Sequence, residues 1–314
     1  MYIMNYEISI GDYKLQTVEQ VKVTSSILNL ADIATIVIAC PYSRKKEVIE
    51  KVKIGDSVEI KLGYENDIKT EFKGYLKSIQ TEGDGVTLNC MDALYLLDKS
   101  IANKEYKQVT VKSLLSDVVR QVDSSFKVVS SYEFTYEKFT TMRTSALDVV
   151  KKVQDETKAN IFFRDNTLYI QEPYKDTIGN TVIYDTAVNI ETSELKYVTK
   201  EDKKVEVEVV FTKADGSKVT KTFGQKGGEK RTMVSSSGSE ADMKRQGNAE
   251  YDLWNYDGFE GSFTGWLIPF TQAGDTVILR DEGKNEGKYY CIGVEVEFSG
   301  SGGKRKVTLG RKLL

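Results

Sequence analysis

The chain has 314 residues, with 44 Lys and Arg against 47 Asp and Glu and a formal net charge of -3. That length holds two or three domains with a sizeable core, and so balanced a charge gives no global reason for a nucleic-acid partner. Histidine is absent, which removes the commonest general base and metal ligand and excludes any catalytic triad built on one.

The N-terminal residues 1–10 alternate and show no basic region followed by an apolar run, so no signal peptide is expected and synthesis in the cytoplasm is. No apolar stretch reaches the ~20 residues that span a bilayer. Residues 1–98 read as β-rich. Tyr13 to Val23 alternates in part, Ile33 to Ala39 is a compact apolar run, and Pro41 forbids continued central pairing. Val58 to Leu62, Phe72 to Ile79 and Val86 to Cys90 follow as short strands with glycine turns, the pattern of a small barrel. Asp92 to Leu97 reads as one or two helical turns leaving it. Cys40, Cys90 and Cys291 sit in apolar strand-like runs and read as buried reduced thiols.

Residues 99–175 change period and read as a small α+β domain. Thr110 is placed to cap a helix whose Val111, Leu114, Leu115, Val118, Val119 and Val122 form an apolar stripe. Ser145 to Asp148 resembles a capping box with Asp in place of Glu, opening a helix that turns Leu147, Val149, Val150 and Val153 inward. Asn160 to Phe163 and Thr167 to Ile170, joined by Arg164-Asp165-Asn166, give a hairpin signal.

Residues 176–314 return to β. Val205, Val207, Val209 and Phe211 alternate with more polar neighbours, and Val219, Lys221 and Phe223 form the return strand. A three-residue loop, Ala214-Asp215-Gly216, sets Phe211 opposite Val219 and Val207 opposite Phe223, which pairs apolar with apolar and asks Gly216 for the left-handed conformation. This hairpin is expected to extend the second barrel. Residues 224–238 read as a mobile polar loop, and Ser239 opens a helix reaching about Trp254.

No constellation in the chain needs a chemical explanation. The acidic clusters around Glu65, Asp84 and Asp281 match no calcium loop and fall at strand connections. Gly300 to Gly303 reads as a turn, and Lys304-Arg305-Lys306 with Arg311-Lys312 as a solvated or partner-facing edge. Trp254, Tyr256, Phe259 and Trp266 read as core between the last helix and the last barrel. Glu133 and Glu137 share a face if they lie on one strand. With Tyr132, Phe134, Tyr136 and Phe139 beside them they are the nearest approach to a glycan-hydrolysing or glycan-binding site. Exposed acids on an amphipathic strand explain them as well. No cofactor or metal is expected.

The strongest signal is a repeat. Gly55-Asp56-Ser57-Val58-Glu59-Ile60 recurs as Gly274-Asp275-Thr276-Val277-Ile278-Leu279. Carried on without gaps, Phe72 falls on Cys291, Gly74 on Gly293 and Ile79 on Phe298, and after a small slip Val86-Thr87-Leu88 echoes Val307-Thr308-Leu309. Two related β-barrels flanking an α+β insertion are expected, in a mainly β chain.

Lys53 to Ile79, Ser145 to Ile170 and Gly274 to Gly310 resemble the contractile-tail baseplate hub proteins, the phage late control protein D family, which is related to the N-terminal part of type VI secretion spike proteins. The resemblance implies a non-enzymatic homotrimer in the baseplate of a phage tail or tail-like particle. It also implies a ring that joins a hexameric tail tube or adaptor ring to a trimeric spike, with no nucleic-acid binding and no membrane insertion of this chain. Asp215, Gly216, Ser217 and Lys226, at and after the hairpin tip, are the candidate contacts to tube or spike.

Overall fold

The computed structural model describes the chain except residues 1–2, 40–41, 83–84, 165, 173–178, 214, 236, 282, 284 and 314, and the side chains of 42–44 and 82. Cys40, Pro41, Asp84, Asp165 and Ala214, singled out above, lie outside the described residues.

The chain is mainly β. It opens with β1 (Met4–Ile10), β2 (Tyr13–Lys14), β3 (Gln20–Ser26), β4 (Ile33–Ala39), α1 (Tyr42–Lys51), β5 (Ser57–Tyr64), β6 (Asp67–Glu82) and β7 (Gly85–Met91). After a 3-10 turn at Ala93–Leu97 come β8 (Lys104–Thr110), α2 (Val111–Val122), β9 (Lys127–Ser130), β10 (Thr135–Thr141), α3 (Ala146–Thr157), β11 (Asn160–Arg164) and β12 (Thr167–Gln171). β13 (Thr181–Asp185), β14 (Ile190–Ser193), β15 (Lys196–Val198), β16 (Val205–Thr212), β17 (Lys218–Gly224), β18 (Glu229–Ser235) and α4 (Glu240–Trp254) follow. β19 (Gly258–Glu260), β20 (Ser262–Trp266), β21 (Thr276–Arg280), β22 (Gly287–Ser299) and β23 (Gly302–Lys312) close the chain.

Two compact units form. Met1–Tyr95, Thr177–Lys196 and Phe259–Leu314 make one; Leu96–Asp176 and Tyr197–Gly258 make the other. The first holds both barrels. They are one continuous sheet, in the order β14-β20-β23-β22-β3-β4-β7-β6-β5-β1-β2, with β21 and β13 continuing from β22. Strict alternation drives it: Val86, Leu88 and Cys90 on β7, and Val58, Ile60 and Leu62 on β5, all turn inward. Helix α1 carries no sequence signal that the alternation reading could use.

In the second unit α2 starts as its residues dictate. The Thr110 side chain accepts from the Ser113 amide, and Val111, Leu114, Leu115, Val118 and Val119 are buried. The capping box at Ser145 and Asp148 forms in both directions. β9 joins the β11–β12 hairpin in parallel with β12. Arg164 belongs to the strand and pairs with Thr167, so the turn is one residue shorter than the Arg164-Asp165-Asn166 link read above.

The 205–223 hairpin has the expected register, Phe211 opposite Val219 and Val207 opposite Phe223, and Gly216 sits at φ +82°. Its placement differs from expectation. It does not extend the second barrel; β17, β16 and β18 form their own sheet. Residues 229–235, read as loop, are β18, which pairs in parallel with β16. The apolar face of that sheet explains this: Val205, Val207 and Val209 need a cover, and α4 supplies it through Met243, Tyr251 and Trp254. The Gln246 side chain donates to the Glu156 carbonyl at 2.7 Å, tying α4 to the end of α3.

Candidate functional site

The described residues assemble no catalytic constellation, and the junction of the two barrels is the feature that calls for a function. The repeat is real in its hydrogen bonds. The Gly55 amide donates to the Leu76 carbonyl and the Leu76 amide to the Asp56 carbonyl, as Gly274 donates to Cys291 and Cys291 to Asp275. Both glycines have positive φ, +93° and +89°. Both copies carry a bulge in the same place, between Leu76 and Ser78 and between Cys291 and Gly293.

These pairings place Cys291 on Leu76, Gly293 on Ser78, Val294 on Ile79 and Val307 on Leu88. The ungapped alignment therefore fails in its middle, where it set Cys291 on Phe72, Gly293 on Gly74 and Phe298 on Ile79. Gly74 pairs with Val58 as Tyr289 pairs with Val277. The second copy is four residues shorter between Gly274 and Cys291 than the first between Gly55 and Leu76. It is four longer between Gly293 and Thr308 than the first between Ser78 and Asn89. The shifts cancel, so Leu88 stands on Val307 at the same offset as Gly55 on Gly274, and the sequence echo of Val86-Thr87-Leu88 in Val307-Thr308-Leu309 is two residues out of register.

The barrels meet where β3 of the first pairs antiparallel with β22 of the second, from Ser26 opposite Gly293 to Gln20 opposite Ser299. Val21, Val23, Val294 and Val296 bury along this seam. On its outer face the Lys22 ammonium reaches Glu295 at 3.1 Å and Glu297 at 3.2 Å. The hydrogen bond to Glu295 first of all raises its pKa. Such exposed pairs add little stability.

Beneath the seam lies a buried ion pair that the sequence reading missed. Arg305, placed above on a solvated edge, is 1 % exposed. Its guanidinium grips Glu71 of the first barrel with both carboxylate oxygens, Nη2 to Oε1 at 2.6 Å and Nη1 to Oε2 at 3.2 Å. Nε and Nη2 also donate to the Leu267 carbonyl, and Nη1 donates to the Thr271 carbonyl at 2.8 Å. All five guanidinium donors are thus used, which a buried arginine requires. Burial holds the Glu71 carboxyl above its usual range, against the opposing pull of Arg305. Glu71 reaches this place because it is the extra residue of a bulge, between Ile60–Phe72 and Lys61–Thr70. The signal for Arg305 was in the alternation: it shares a strand face with Val307 and Leu309.

The residues named from sequence do not form one site. The Asp215 carboxylate accepts from the Ser217 hydroxyl at 2.6 Å and amide at 2.9 Å, a local turn that lowers its pKa. Gly216 and Ser217 share that tip. Lys226 lies beyond the far end of β17, roughly 20 Å away along a strand of that length. Glu133 precedes β10 and is exposed, with Arg245 Nη2 at 3.8 Å, while Glu137 accepts from the Gly238 amide. Tyr132, Phe134, Tyr136 and Phe139 are buried, the last three in edge-to-face contact. They are core, and present no sugar platform. Trp254 packs on the β16 sheet with Arg231 over its ring at 3.6 Å, whereas Trp266 is half exposed under Lys304, so the expected aromatic cluster divides between the two units. Cys90 and Cys291 are buried free thiols, with Cys90 pushed up to about 12 by burial and Cys291 pushed up as well. Among the described residues no helix is long and apolar enough to cross a membrane, and no group of three or more Cys, Asp or Glu side chains is arranged to hold a metal ion.

No protein-family model matches the sequence, and no curated protein matches it. Solved structures share the fold along nearly the whole chain. A tail protein from Neisseria meningitidis superposes with a TM-score of 0.73 at 16% identity, covering 98% of this chain and 96% of that one. A prophage tail protein from Shewanella oneidensis gives 0.69 at 14% identity, covering 98% of each chain. An Escherichia coli component of the type VI secretion system, described as structurally similar to bacteriophage T4 tail proteins, gives 0.64 at 11% identity, covering 98% of this chain and 77% of that one.

Proposed function

We propose that this chain is the structural hub of a contractile phage tail or tail-like particle, a homotrimeric ring joining a hexameric tail tube to a trimeric spike. The observation that carries this reading is the seam. Two barrels with matching turn hydrogen bonds sit side by side in one chain and share one sheet. A threefold ring of such chains presents six similar positions to a sixfold partner while keeping threefold symmetry for the other. The tail-protein fold, matched along 98% of the chain, supports it. The role is mechanical: a stiff sheet with a buried ion pair across its joint carries thrust from tube to spike, and no catalysis is involved. The chain is made in the host cytoplasm and acts in the assembled baseplate.

Sedimentation of the purified chain, alone and with a trimeric spike protein from the same particle, tests the reading. A trimer in either condition is expected. A monomer in both, at every concentration tried, rejects the hub.

A further inference from the structure

We infer that the ring closes by a second, intermolecular copy of the seam, in which the β6 end of one chain pairs antiparallel with the β14 edge of the next. This inference rests on the ring reading above and adds to it the surface and the register. β22 is hydrogen-bonded on both flanks along Gly293–Ser299, to β23 and to β3. Its counterpart, Ser78–Glu82 of β6, pairs with β7 alone among the described residues. On the other barrel, β14 holds the place of β3. Ser193 pairs with Phe263, and Phe263 pairs with Val307, as Val21 pairs with Ile36 and Ile36 with Leu88. β3 is covered by β22; among the described residues β14 ends the sheet and pairs with β20 only.

Burial agrees with two open edges. Val294 and Val296 are buried in the seam, while their counterparts are a half-exposed Ile79 and an exposed Thr81. Val21 is buried, while Ser193 and its neighbours Glu191, Thr192 and Glu194 are all exposed. A strand inside a sheet hides alternate side chains, so four exposed in succession mark an uncovered edge. Each edge is the missing partner of the other, and a second copy of this chain is the occupant that supplies it by the geometry already formed within the chain. The register follows. Val296 faces Val23 in the seam; Thr81 stands in the place of Val296. The Glu194 amide donates to the Ser262 carbonyl, carrying the β14 register one residue past Ser193, so that Leu195 stands in the place of Val23. Thr81 of one copy therefore faces Leu195 of the next. Directly opposed Cα atoms in an antiparallel pair are about 4.5–5.5 Å apart, within the reach of a disulfide.

The test is oxidation of the full chain carrying Thr81→Cys and Leu195→Cys. Covalent trimers on a non-reducing denaturing gel are expected, and none from either single variant or from the offset pair Thr81→Cys with Glu191→Cys. A double variant that sediments as a trimer but does not cross-link overturns the edge pairing and leaves the hub reading standing; a chain that never trimerises overturns both. Hydrogen exchange on the unsubstituted protein reads the same edges without risk to folding. Amides of residues 79–82 and 191–195 should gain protection on ring formation, and unchanged exchange there rejects the inference.

Discussion

The two barrels share a run of matching strands, β3-β4-β7-β6-β5 and β14-β20-β23-β22-β21, beyond which β1 joins β5 antiparallel and β13 joins β21 in parallel, and they differ again where it matters for assembly. In the second, the β22–β23 hairpin is long and its β22 flank is taken by β3. In the first, the β6–β7 hairpin is shorter and the matching flank of β6 is open among the described residues. At one inward position the difference is chemical: Arg305 faces Val296 as Val86 faces Thr81, so the second barrel buries a guanidinium where the first buries a valine. The shared strands of the repeat thus keep their turn hydrogen bonds while the outer strand, the hairpin lengths and core positions such as Arg305 differ between the copies.

The largest effect is expected from that core position. Arg305→Met leaves Glu71 buried without its partner and should lose about 3–5 kcal/mol of stability, as broken buried pairs do. Glu71→Leu combined with Arg305→Met removes both charges and should recover most of the loss. Val86→Ala, at the matching place in the first barrel, removes apolar volume with no charge left behind and should cost less, about 1–3 kcal/mol. Urea unfolding of the four chains measures all of this. A double variant no better than Arg305→Met would show that the Arg305 side chain matters through its packing, with the guanidinium 5.2 Å over the Phe270 ring, rather than through its charge.

A second, pH-dependent asymmetry belongs to the first barrel. Asp92 follows β7, is buried, and has its carboxyl raised to about 7, first by burial and then by the nearby Asp32, against backbone hydrogen bonds from Asp32 and Leu94. The folded pKa lies above the unfolded one, so between about pH 4 and pH 7 the folded chain holds a proton that the unfolded chain has lost. Stability from this group is therefore present at low pH and falls as pH rises, by up to ~1.4 kcal/mol per pH unit. Asp92→Asn should flatten that part of the profile. An unchanged slope in the variant would assign the dependence elsewhere.

Legibility in the sequence followed the reach of each signal. Local signals held: the Thr110 cap, the Ser145 box and the hairpin register through Phe211 and Val219 are set by neighbours a few residues apart. What failed depends on partners far along the chain. β18 reads as polar loop because its pairing partner β16 lies elsewhere in the sequence and its face is only half apolar. Glu71 looks like any exposed strand acid until a bulge turns it, and Arg305 looks like part of a basic tail until Glu71 meets it. The seam has no local signature at all, since Val21, Val23, Val294 and Val296 look like ordinary core.

The smallest effect is also the cleanest test of equivalence between the barrels. Gly55 and Gly274 occupy matching turns at φ +93° and +89°, and a Cβ at either would meet only ordinary contacts, Tyr95 Oη at 3.6 Å or Tyr290 Oη at 3.9 Å. Alanine should therefore cost the same at both, about 1–2 kcal/mol, from the left-handed backbone alone. Gly74 and Gly293, which the ungapped repeat matched, should behave differently. A Cβ on Gly74 would stand 2.2 Å from the Met91 carbonyl oxygen, whereas on Gly293 its nearest neighbour is the Ser25 oxygen at 3.0 Å. Gly74→Ala should thus be the more damaging of that pair, because its Cβ would overlap the β7 backbone outright, whereas at Gly293 a shift of a few tenths of an ångström relieves the contact. Unequal losses at Gly55 and Gly274 would break the hydrogen-bond equivalence of the two turns, and equal losses at Gly74 and Gly293 would favour the ungapped match of that pair.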